Sequence, residues 1–362
     1  MSFHLLACIS AHGYGHLAMT APALNSLAIQ YEIKLTVRTM LPEPLLRELI
    51  TVDFDIVPEA SDFGMIMRSS IEVDLLASKK QYVDLHNNWE FNVSAEAERL
   101  RQLSPNLILA NAPYLAVVAS KKIDVPCVAF CSLNWADIYY AYYGSDQNED
   151  QKIVNEMQQA YNSADFFVCP EPSMPMEQML NRKVIGPVSL IGLNLKAKIC
   201  EQLKILDSIR LVLISPGGVK TEIPIDEWPQ SPDIHWITSW ENKSKRTDIS
   251  SVTSLDFAFN DLLSSCDAVI TKPGYGTVTN TACNTVPALY VLRGDWAEEA
   301  CLVKWWECNN RIKEISVEQF YSGDVLSELE QLWNLAPSVP VEPSGVEELV
   351  SIIADYIPSG LE

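Results

Sequence analysis

Short apolar runs alternate with longer stretches of helical spacing along the first half of the chain. The runs stand at 5–9, 33–37, 107–110 and 125–130. Unbroken apolar runs of this length are typical of strands buried on both faces, and a helix between two strands makes the crossover that a parallel pair needs. The pattern predicts an α/β domain built on a parallel sheet.

The same alternation resumes in the second half. It predicts helices at 195–206, 255–264 and 277–284 and strands at 209–214, 234–237, 268–270 and 287–292. A segment with glycine and proline, 184–194, separates the two series and is typical of a domain boundary. We therefore predict two Rossmann-like domains, residues 1–187 and 188–341, followed by a terminal segment 342–362 that contains a helix.

Two glycine turns follow predicted strands of the second domain. The first contains Gly217 and Gly218, and the second runs Lys272-Pro273-Gly274-Tyr275-Gly276-Thr277. A helix that starts at the carboxyl end of a parallel strand offers free N–H groups and a favourable dipole to a phosphate. Glycine lets a diphosphate approach the backbone, and Thr277 is expected to cap the helix and offer a hydroxyl. An ordinary pair of turns is the alternative.

An acidic loop follows the predicted strand at 287–292. It contains Arg293 and three carboxylates, Asp295, Glu298 and Glu299. Carboxylates accept hydrogen bonds from sugar hydroxyls and repel phosphate. The sequence of the second domain therefore predicts a phosphate-binding site at the turn after Lys272 and a sugar-binding site at the acidic loop.

Two histidines flank a glycine-rich loop after the first strand. The loop runs His12-Gly13-Tyr14-Gly15-His16. Glycines let an acceptor come close, and histidine is the side chain best suited to take a hydroxyl proton near neutral pH. The spacing is not GxGxxG, so no dinucleotide fingerprint is assigned. Structural loop and helix-cap roles for His12 and His16 are the alternative.

These motifs resemble the GT-B glycosyltransferases. The resemblance is closest to the glycosyltransferase-like part of plant L-arabinokinases, which shares the loop at 12–16, the lysine and glycine turn at 272–278 and the acidic loop at 293–299, and it extends to the bacterial enzymes that form lipid II. It implies two Rossmann-like domains facing each other across a cleft, with a last helix, from Gly345, that crosses back to the first domain.

The resemblance also implies roles for single residues. Either His16 or His12 is the base that deprotonates the acceptor, with Gly13, Tyr14, Gly15 and Trp135 on the acceptor side. An aspartate of the family's SWDFIY run is displaced by one position to Asp137, and a glutamate that binds ribose is replaced by Asn280. Packing in a helix interface is the alternative for the aromatic residues around Trp135.

The composition of the chain disfavours several classes of binding partner and several kinds of site. The chain has 362 residues and a formal net charge of −21, which disfavours nucleic acid and anionic membranes because both require a basic surface. Nine scattered cysteines without a CxxC motif predict neither a zinc site nor a disulfide framework and favour the cytoplasm. No apolar run is long enough for a membrane span, and the start lacks the cationic region of a signal peptide.

The expected activity is transfer of a sugar from a nucleotide diphosphate sugar to an acceptor hydroxyl, with inversion at the anomeric carbon. No cofactor is expected beyond the nucleotide sugar as co-substrate, and the absence of a DxD motif favours metal independence. A regulatory protein that binds the nucleotide sugar without turnover and an epimerase or hydrolase of the same fold are the alternatives.

Overall fold

The computed structural model describes residues 3–68, 72–144, 148–217 and 223–361. The chain divides into two compact units, which we name unit 1 (1–188 and 344–362) and unit 2 (189–343). Among the residues described, no helix has the length and apolar composition required to span a bilayer.

Unit 1 is an α/β structure that begins with a buried strand. Its elements, in chain order, are β1 (Phe3–Ile9), α1 (Tyr14–Gln30), β2 (Ile33–Arg38), α2 (Glu43–Leu49), β3 (Asp55–Val57), α3 (Leu75–Asn87), α4 (Trp89–Leu103), β4 (Leu107–Asn111), α5 (Tyr114–Lys121), β5 (Cys127–Phe130), α6 (Trp135–Tyr143), α7 (Asn148–Asn162), β6 (Phe166–Pro170) and β7 (Arg182–Ile185).

The strands of unit 1 form one parallel sheet. Among the described residues it has seven strands in the order β3-β2-β1-β4-β5-β6-β7, and the register sets Leu5 beside both Leu35 and Leu107. Every residue of β1 and β4 is buried, because helices cover both faces: α1 packs with α2, and α4 and α7 pack with α5. These are the runs that the apolar pattern predicts as buried parallel strands.

Unit 2 repeats this plan. Its helices and strands are α8 (Lys196–Leu203), β8 (Arg210–Ser215), β9 (Ile234–Thr238), β10 (Ile249–Ser251), α9 (Phe259–Ser265), β11 (Ala268–Thr271), α10 (Tyr275–Cys283), β12 (Ala288–Tyr290), α11 (Glu299–Asn309), β13 (Ile312–Glu314), α12 (Val317–Ser322) and α13 (Leu326–Trp333). Its described strands form a parallel six-stranded sheet in the order β10-β9-β8-β11-β12-β13, which confirms the prediction of two Rossmann-like parallel-sheet domains.

The final helix, α14 (Gly345–Ala354), belongs to unit 1. It packs against α1 and β7. The amide of Gly345 donates to the carbonyl of Pro187 over 3.1 Å, and the carboxylate of Glu348 accepts from the amide of Gly186 over 3.0 Å. These bonds anchor the segment 344–362 where the chain leaves the sheet of unit 1.

The segment before β4 contains two helices, α3 and α4, which meet at Asn88. Two local predictions need correction. Residues 182–185, assigned in part to the domain boundary, form the edge strand β7. Thr277 does not cap its helix, because α10 begins at Tyr275 with Gly274 as the N-cap residue.

A buried ion pair joins the sheet of unit 1 to α4. The guanidinium of Arg38 donates to both carboxylate oxygens of Glu96, over 2.6 and 3.0 Å. The side chains are 1% and 0% exposed. A pair this deep replaces lost hydration fully only while both partners are present. The remaining ion pairs, of Arg38 with Glu59 over 3.5 Å and of Glu96 with Arg99 over 3.6 Å, are longer and have partners that are 54% exposed.

We predict that Glu96→Ala lowers the free energy of unfolding by about 3–5 kcal/mol, because it leaves the Arg38 charge buried. Glu98→Ala is the matched control, since Glu98 lies on the same helix and its pair with Arg101 is 57% exposed on both sides; it is expected to change stability by less than about 1 kcal/mol. The measurement is chemical denaturation of both variants. Equal losses in the two variants would show that the buried pair has no special role.

Candidate functional site

Each sheet reverses its strand order at one position, and the sequence-predicted residues lie there. In unit 1 the reversal falls between β1 and β4, and in unit 2 between β8 and β11. Connections leave such a pair of strands in opposite directions, so a crevice opens at the carboxyl ends where ligands bind in open α/β sheets. The loop with His12 and His16 follows β1, and the loops with Gly217 and Lys272 follow β8 and β11.

His16 is held by the end of the neighbouring strand. It is buried in the first turns of α1, and its Nδ1 lies 2.8 Å from Oδ1 of Asn111, the last residue of β4. The Sγ of Cys131 lies 3.7 Å from the same nitrogen. Asn111 reaches His16 because β1 and β4 pair in a register that sets Ile9 beside Asn111.

The surrounding hydrogen bonds determine which nitrogen of His16 carries the proton. The amide nitrogen of Asn111 donates to Oγ1 of Thr20 over 2.7 Å, and that hydroxyl donates to the carbonyl of His16 over 2.7 Å. The amide oxygen of Asn111 therefore faces the ring as an acceptor, so Nδ1 carries the proton and Nε2 is the basic nitrogen. A neutral histidine in this tautomer is able to remove a hydroxyl proton.

The second histidine packs against the same indole as His16 does. The ring centroid of Trp135 is 5.0 Å from that of His12 and 5.8 Å from that of His16, and the two imidazoles are 6.4 Å apart. His12 is half-buried, whereas Tyr14 and Gly15 are exposed at the start of α1, next to its N-cap residue Gly13. Unit 1 thus brings His12, His16 and Trp135 together.

Asp137 lies in the first turn of α6. Its carboxylate accepts from Nδ2 of Asn134 over 2.8 Å, while its own amide donates to Oδ1 of Asn134 over the same distance. Burial raises the pKa of Asp137, and the hydrogen bond from Asn134 opposes the rise. The described bonds thus tie Asp137 to the helix N-terminus, and the residue that orients His16 is Asn111. A histidine-orienting role for Asp137 stays a prediction.

In unit 2, Lys272 lies against the loop that follows β8. Gly217 has φ of +97°, and a Cβ added there would lie 3.0 Å from Cε of Lys272, so the positive φ and the close approach both favour glycine. Burial lowers the pKa of Lys272 to about 8, with the charge of Arg293 acting in the same direction and Glu299 against it. The predicted partner Gly218 lies outside the described residues.

The start of α10 lies at the same crevice, directly after β11. The hydroxyl of Thr271 donates to the carbonyl of Ser215 over 2.7 Å and so joins the ends of β11 and β8. Tyr275 is buried, while Gly276 and Thr277 are half-buried. Apart from the adjacent residues and the helix backbone, no atom of the described part of the chain would lie within 4 Å of a Cβ at Gly274 or Gly276, so there is room beside the first turn of α10.

The acidic loop holds itself together. Both carboxylate oxygens of Glu299 accept from the backbone amide of Arg293, over 2.9 and 3.1 Å, and its Oε1 also accepts from Nε of Arg293 over 3.2 Å. Arg293 in turn donates to the carbonyl of Pro273 over 2.9 Å. Glu299 therefore connects the loop after β12 to the turn after β11.

The other two carboxylates of this loop differ in exposure. Glu298 is buried and accepts from Nε1 of Trp296 over 3.2 Å, whereas Asp295 is exposed. Of the three carboxylates predicted for the sugar, Asp295 is thus the one that solvent reaches.

Asn280 lies farther along α10. Its Oδ1 accepts from the hydroxyl of Ser189 over 2.7 Å, and its Nδ2 lies 3.5 Å from Oδ1 of Asn260. These bonds connect α10 to α9 and to the first residue of unit 2. The ribose-binding role suggested for this position stays a prediction.

Within the ranges that the structure describes, no group of three or more His, Cys, Asp or Glu side chains is arranged to hold a metal ion. All nine cysteines are free thiols.

The sequence alone did not indicate three residues that contact the predicted site or its hydrogen-bond network, Asn111, Thr20 and Asp62. Asn111 directly follows the apolar run 107–110, and a polar residue at the end of a buried parallel strand is a usable signal for a site. Asp62 accepts from Nε1 of Trp135 over 2.7 Å, but its segment carries no comparable pattern.

Comparison with known proteins agrees with the fold. No family model matches the chain. The L-arabinokinase of Arabidopsis thaliana is 22% identical over 316 residues, and the match covers 83% of this chain and 29% of that protein. The chain therefore spans less than a third of this curated relative.

Solved structures with the same architecture include three informative examples. The glycotransferase of kitacinnamycin superposes with a TM-score of 0.63 at 11% identity and covers 99% of this chain and 100% of its own. MurG of Acinetobacter baumannii gives 0.53 at 12%, with 98% and 100% coverage. A protein assigned as a UDP-N-acetylglucosamine 2-epimerase from Listeria monocytogenes gives 0.53 at 11%, with 98% and 97% coverage. The resemblance to GT-B proteins is confirmed as a shared fold.

We predict that Lys272→Met raises the melting temperature at pH 7, because the lowered pKa shows that burial penalises the lysine charge. A pKa near 8 against about 10.5 in the unfolded chain corresponds to a penalty on the order of 3 kcal/mol below pH 8, and the penalty disappears as pH rises towards 10.5. The gain should therefore shrink between pH 8 and pH 10. Exposed Lys304, replaced by Met, is the control; a constant difference across this range would contradict the assignment.

Proposed function

We propose that the protein is a glycosyltransferase that moves a sugar from a nucleotide diphosphate sugar to an acceptor hydroxyl. The observation that carries the proposal is the 2.8 Å contact between Nδ1 of His16 and Oδ1 of Asn111, from which we infer that Nδ1 donates and that Nε2 is the basic nitrogen at the crevice of unit 1. Unit 2 supplies, at its own crevice, a lysine, a helix N-terminus and small residues, which suit a diphosphate.

On the acceptor side, His16 takes the hydroxyl proton as the oxygen attacks the anomeric carbon. The new imidazolium keeps its bond from Nδ1 to Asn111, so the ring does not reorient during the step. Attack on the face opposite the leaving diphosphate inverts the anomeric centre. His12, which packs beside the same indole of Trp135, contacts the acceptor rather than taking its proton.

On the donor side, Lys272 and the N-terminus of α10 stabilise the charge that develops on the departing diphosphate. This charge compensation is available without a metal ion, so metal independence is part of the proposal. Asp295 binds hydroxyls of the donor sugar, whereas Glu299 keeps Arg293 and the loop in place. The free thiols suit a reducing compartment, and we assign the protein to the cytoplasm.

A second candidate is conversion of the nucleotide sugar itself. The structural similarity to the Listeria protein assigned as a 2-epimerase favours it, and the same diphosphate site would serve. In that reaction the histidine takes a proton from the sugar, and no acceptor is consumed.

Nucleotide sugars are expected to raise the melting temperature. A panel of UDP, dTDP, GDP and ADP sugars is tested by thermal shift, where ligand at a hundred times its Kd adds about 2.7 kcal/mol of stability. Lys272→Met should weaken binding of the best ligand by about 1.5–3 kcal/mol, because a charged hydrogen bond is lost. Wild-type affinity should fall as pH rises through about 8, where Lys272 loses its charge, whereas the variant keeps a flat profile. No stabilisation by any member of the panel would end the donor-site assignment.

With a donor identified, His16→Gln is expected to slow transfer by about two orders of magnitude, because the proton acceptor is lost. Donor binding, measured by thermal shift, should be unchanged. His12→Gln is the matched control and should mainly raise the acceptor KM, and EDTA should leave the wild-type rate unchanged. A variant of His16 with full turnover would contradict its assignment as the base. Donor consumption without an acceptor, with an epimerised product, would favour the second candidate.

A further inference from the structure

Trp135 is the side chain against which the imidazoles of His12 and His16 pack, and its position is tightly defined. Its backbone amide donates to the hydroxyl of Tyr161 over 3.2 Å, and that hydroxyl donates to the carbonyl of Ala112 over 2.7 Å. The indole is fully buried. These bonds fix the backbone of Trp135, the first residue of α6. They do not fix the orientation of its indole ring, which depends on contacts of the ring itself.

The loop between β3 and α3 supplies those contacts. Oδ2 of Asp62 accepts from Nε1 of the indole over 2.7 Å. Two residues later, Gly64 has φ of +63°, and a Cβ there would lie 2.8 Å from two ring carbons of Trp135 and 3.0 Å from Cβ of His12. The backbone of this loop thus lies directly against the indole and the His12 side chain, so only glycine fits at 64.

Asp62 is a buried carboxylate, and none of the ion pairs found among the described residues includes it. Its exposure is 8%. Burial raises the pKa of Asp62 to about 7, against the side chains of Trp135 and Ser10, which favour the ionised form. The other ionisable groups that face it are Glu96 on α4, which raises its pKa further, and Cys8, Tyr82, Tyr114 and Tyr161 from the packed strands and helices.

We propose that Asp62 is a positioning residue, whose ionised carboxylate fixes the indole of Trp135 against His12 and His16 and thereby sets the acceptor side of the site. This role rests on the proposed transfer reaction, although the contact itself does not. A carboxylate accepts from the indole N–H through a charge-assisted bond, which is about twice as strong as a neutral one. Protonation of Asp62 weakens that bond, so the indole of Trp135 is held less firmly as pH falls through 7.

The first test follows the indole N–H of Trp135 in the NMR spectrum of the 15N-labelled full chain, with the signal assigned by its loss in Trp135→Phe. Its position is expected to move with a midpoint near pH 7. That movement should be absent in Asp62→Asn, which retains an acceptor but does not titrate. It should persist in His12→Gln and in His16→Gln. Movement that survives in Asp62→Asn, or that disappears in a histidine variant, would overturn the proposal, because an imidazole would then be the titrating group.

A second measurement guards against simple loss of fold. A carboxylate with a raised pKa destabilises the native state only when it is ionised, so the penalty is absent below the unfolded pKa, grows as pH rises, and is complete above about 7. Asp62→Asn should therefore gain more in melting temperature at pH 8 than at pH 5. Exposed Asp53, replaced by Asn, is the control. An equal shift at both pH values would refute ionisation of Asp62 near neutrality.

A third measurement, the kinetics of transfer, tests the role of Asp62 in the reaction separately from its contact with the indole. Asp62→Asn is expected to lower kcat/KM for the acceptor by about tenfold at pH 8, because small displacements of reacting groups are costly, while stabilisation by the donor stays at the wild-type value. The acceptor KM of the wild type should rise from pH 8 to pH 6, and that of the variant should not. Equal pH profiles of the acceptor KM in the wild type and the variant would overturn the positioning role.

If no donor and acceptor pair reacts at all, the proposed function fails. The NMR and melting-temperature measurements then still test whether Asp62 ionises and holds the indole.

Discussion

The reversal of strand order in each sheet is the constraint on which the rest of the structure depends. A strand followed by a helix returns to the sheet in a right-handed sense, so strands added on opposite sides of β1 must place their helices on opposite faces. In unit 1, α1 and α2 pack together, while α4, α5 and α7 form the other layer. The loops at the ends of β1 and β4 therefore diverge, and backbone N–H groups and side chains remain accessible between them.

This constraint explains why residues far apart in the chain act together. His16 follows β1 and Asn111 ends β4, and strand pairing brings them to 2.8 Å. In unit 2, pairing of β8 with β11 sets Ser215 beside Thr271, which places Gly217 against Lys272. The two units place different side chains at the reversal of strand order: unit 1 places a histidine there, and unit 2 a lysine beside the start of a helix.

The sequence predicted the central part of each sheet well and the edges poorly, for a physical reason. Strands β1, β4, β8 and β11 are covered on both faces, so their sequences are unbroken apolar runs. Edge strands need no such run. In β7 only Ile185 is buried, and in β13 no residue is fully buried; such short segments cannot be distinguished from loop by composition.

The site shows the same division between local and long-range information. The histidine loop and the turn after Lys272 are each continuous in sequence, so their candidate functional residues could be identified from the sequence alone. The partners Asn111 and Asp62 come from other loops, and their contacts depend on strand register and on the path of the segment before α3, which local patterns do not encode. Glu299 adds a contact that its position in an acidic loop does not reveal: both its carboxylate oxygens accept from Arg293, and its role as a sugar ligand stays a prediction.

The charges of the molecule follow one further rule. Arg38 and Glu96 are both buried, and each compensates the other through two hydrogen bonds. Lys272 and Asp62 are shifted towards their neutral forms by burial, to pKa values of about 8 and about 7. Both lie beside strand-order reversals. Groups whose pKa values are shifted by burial cluster at functional sites. This clustering is the reason that we connect Lys272 with the proposed diphosphate and Asp62 with the position of the indole that it contacts.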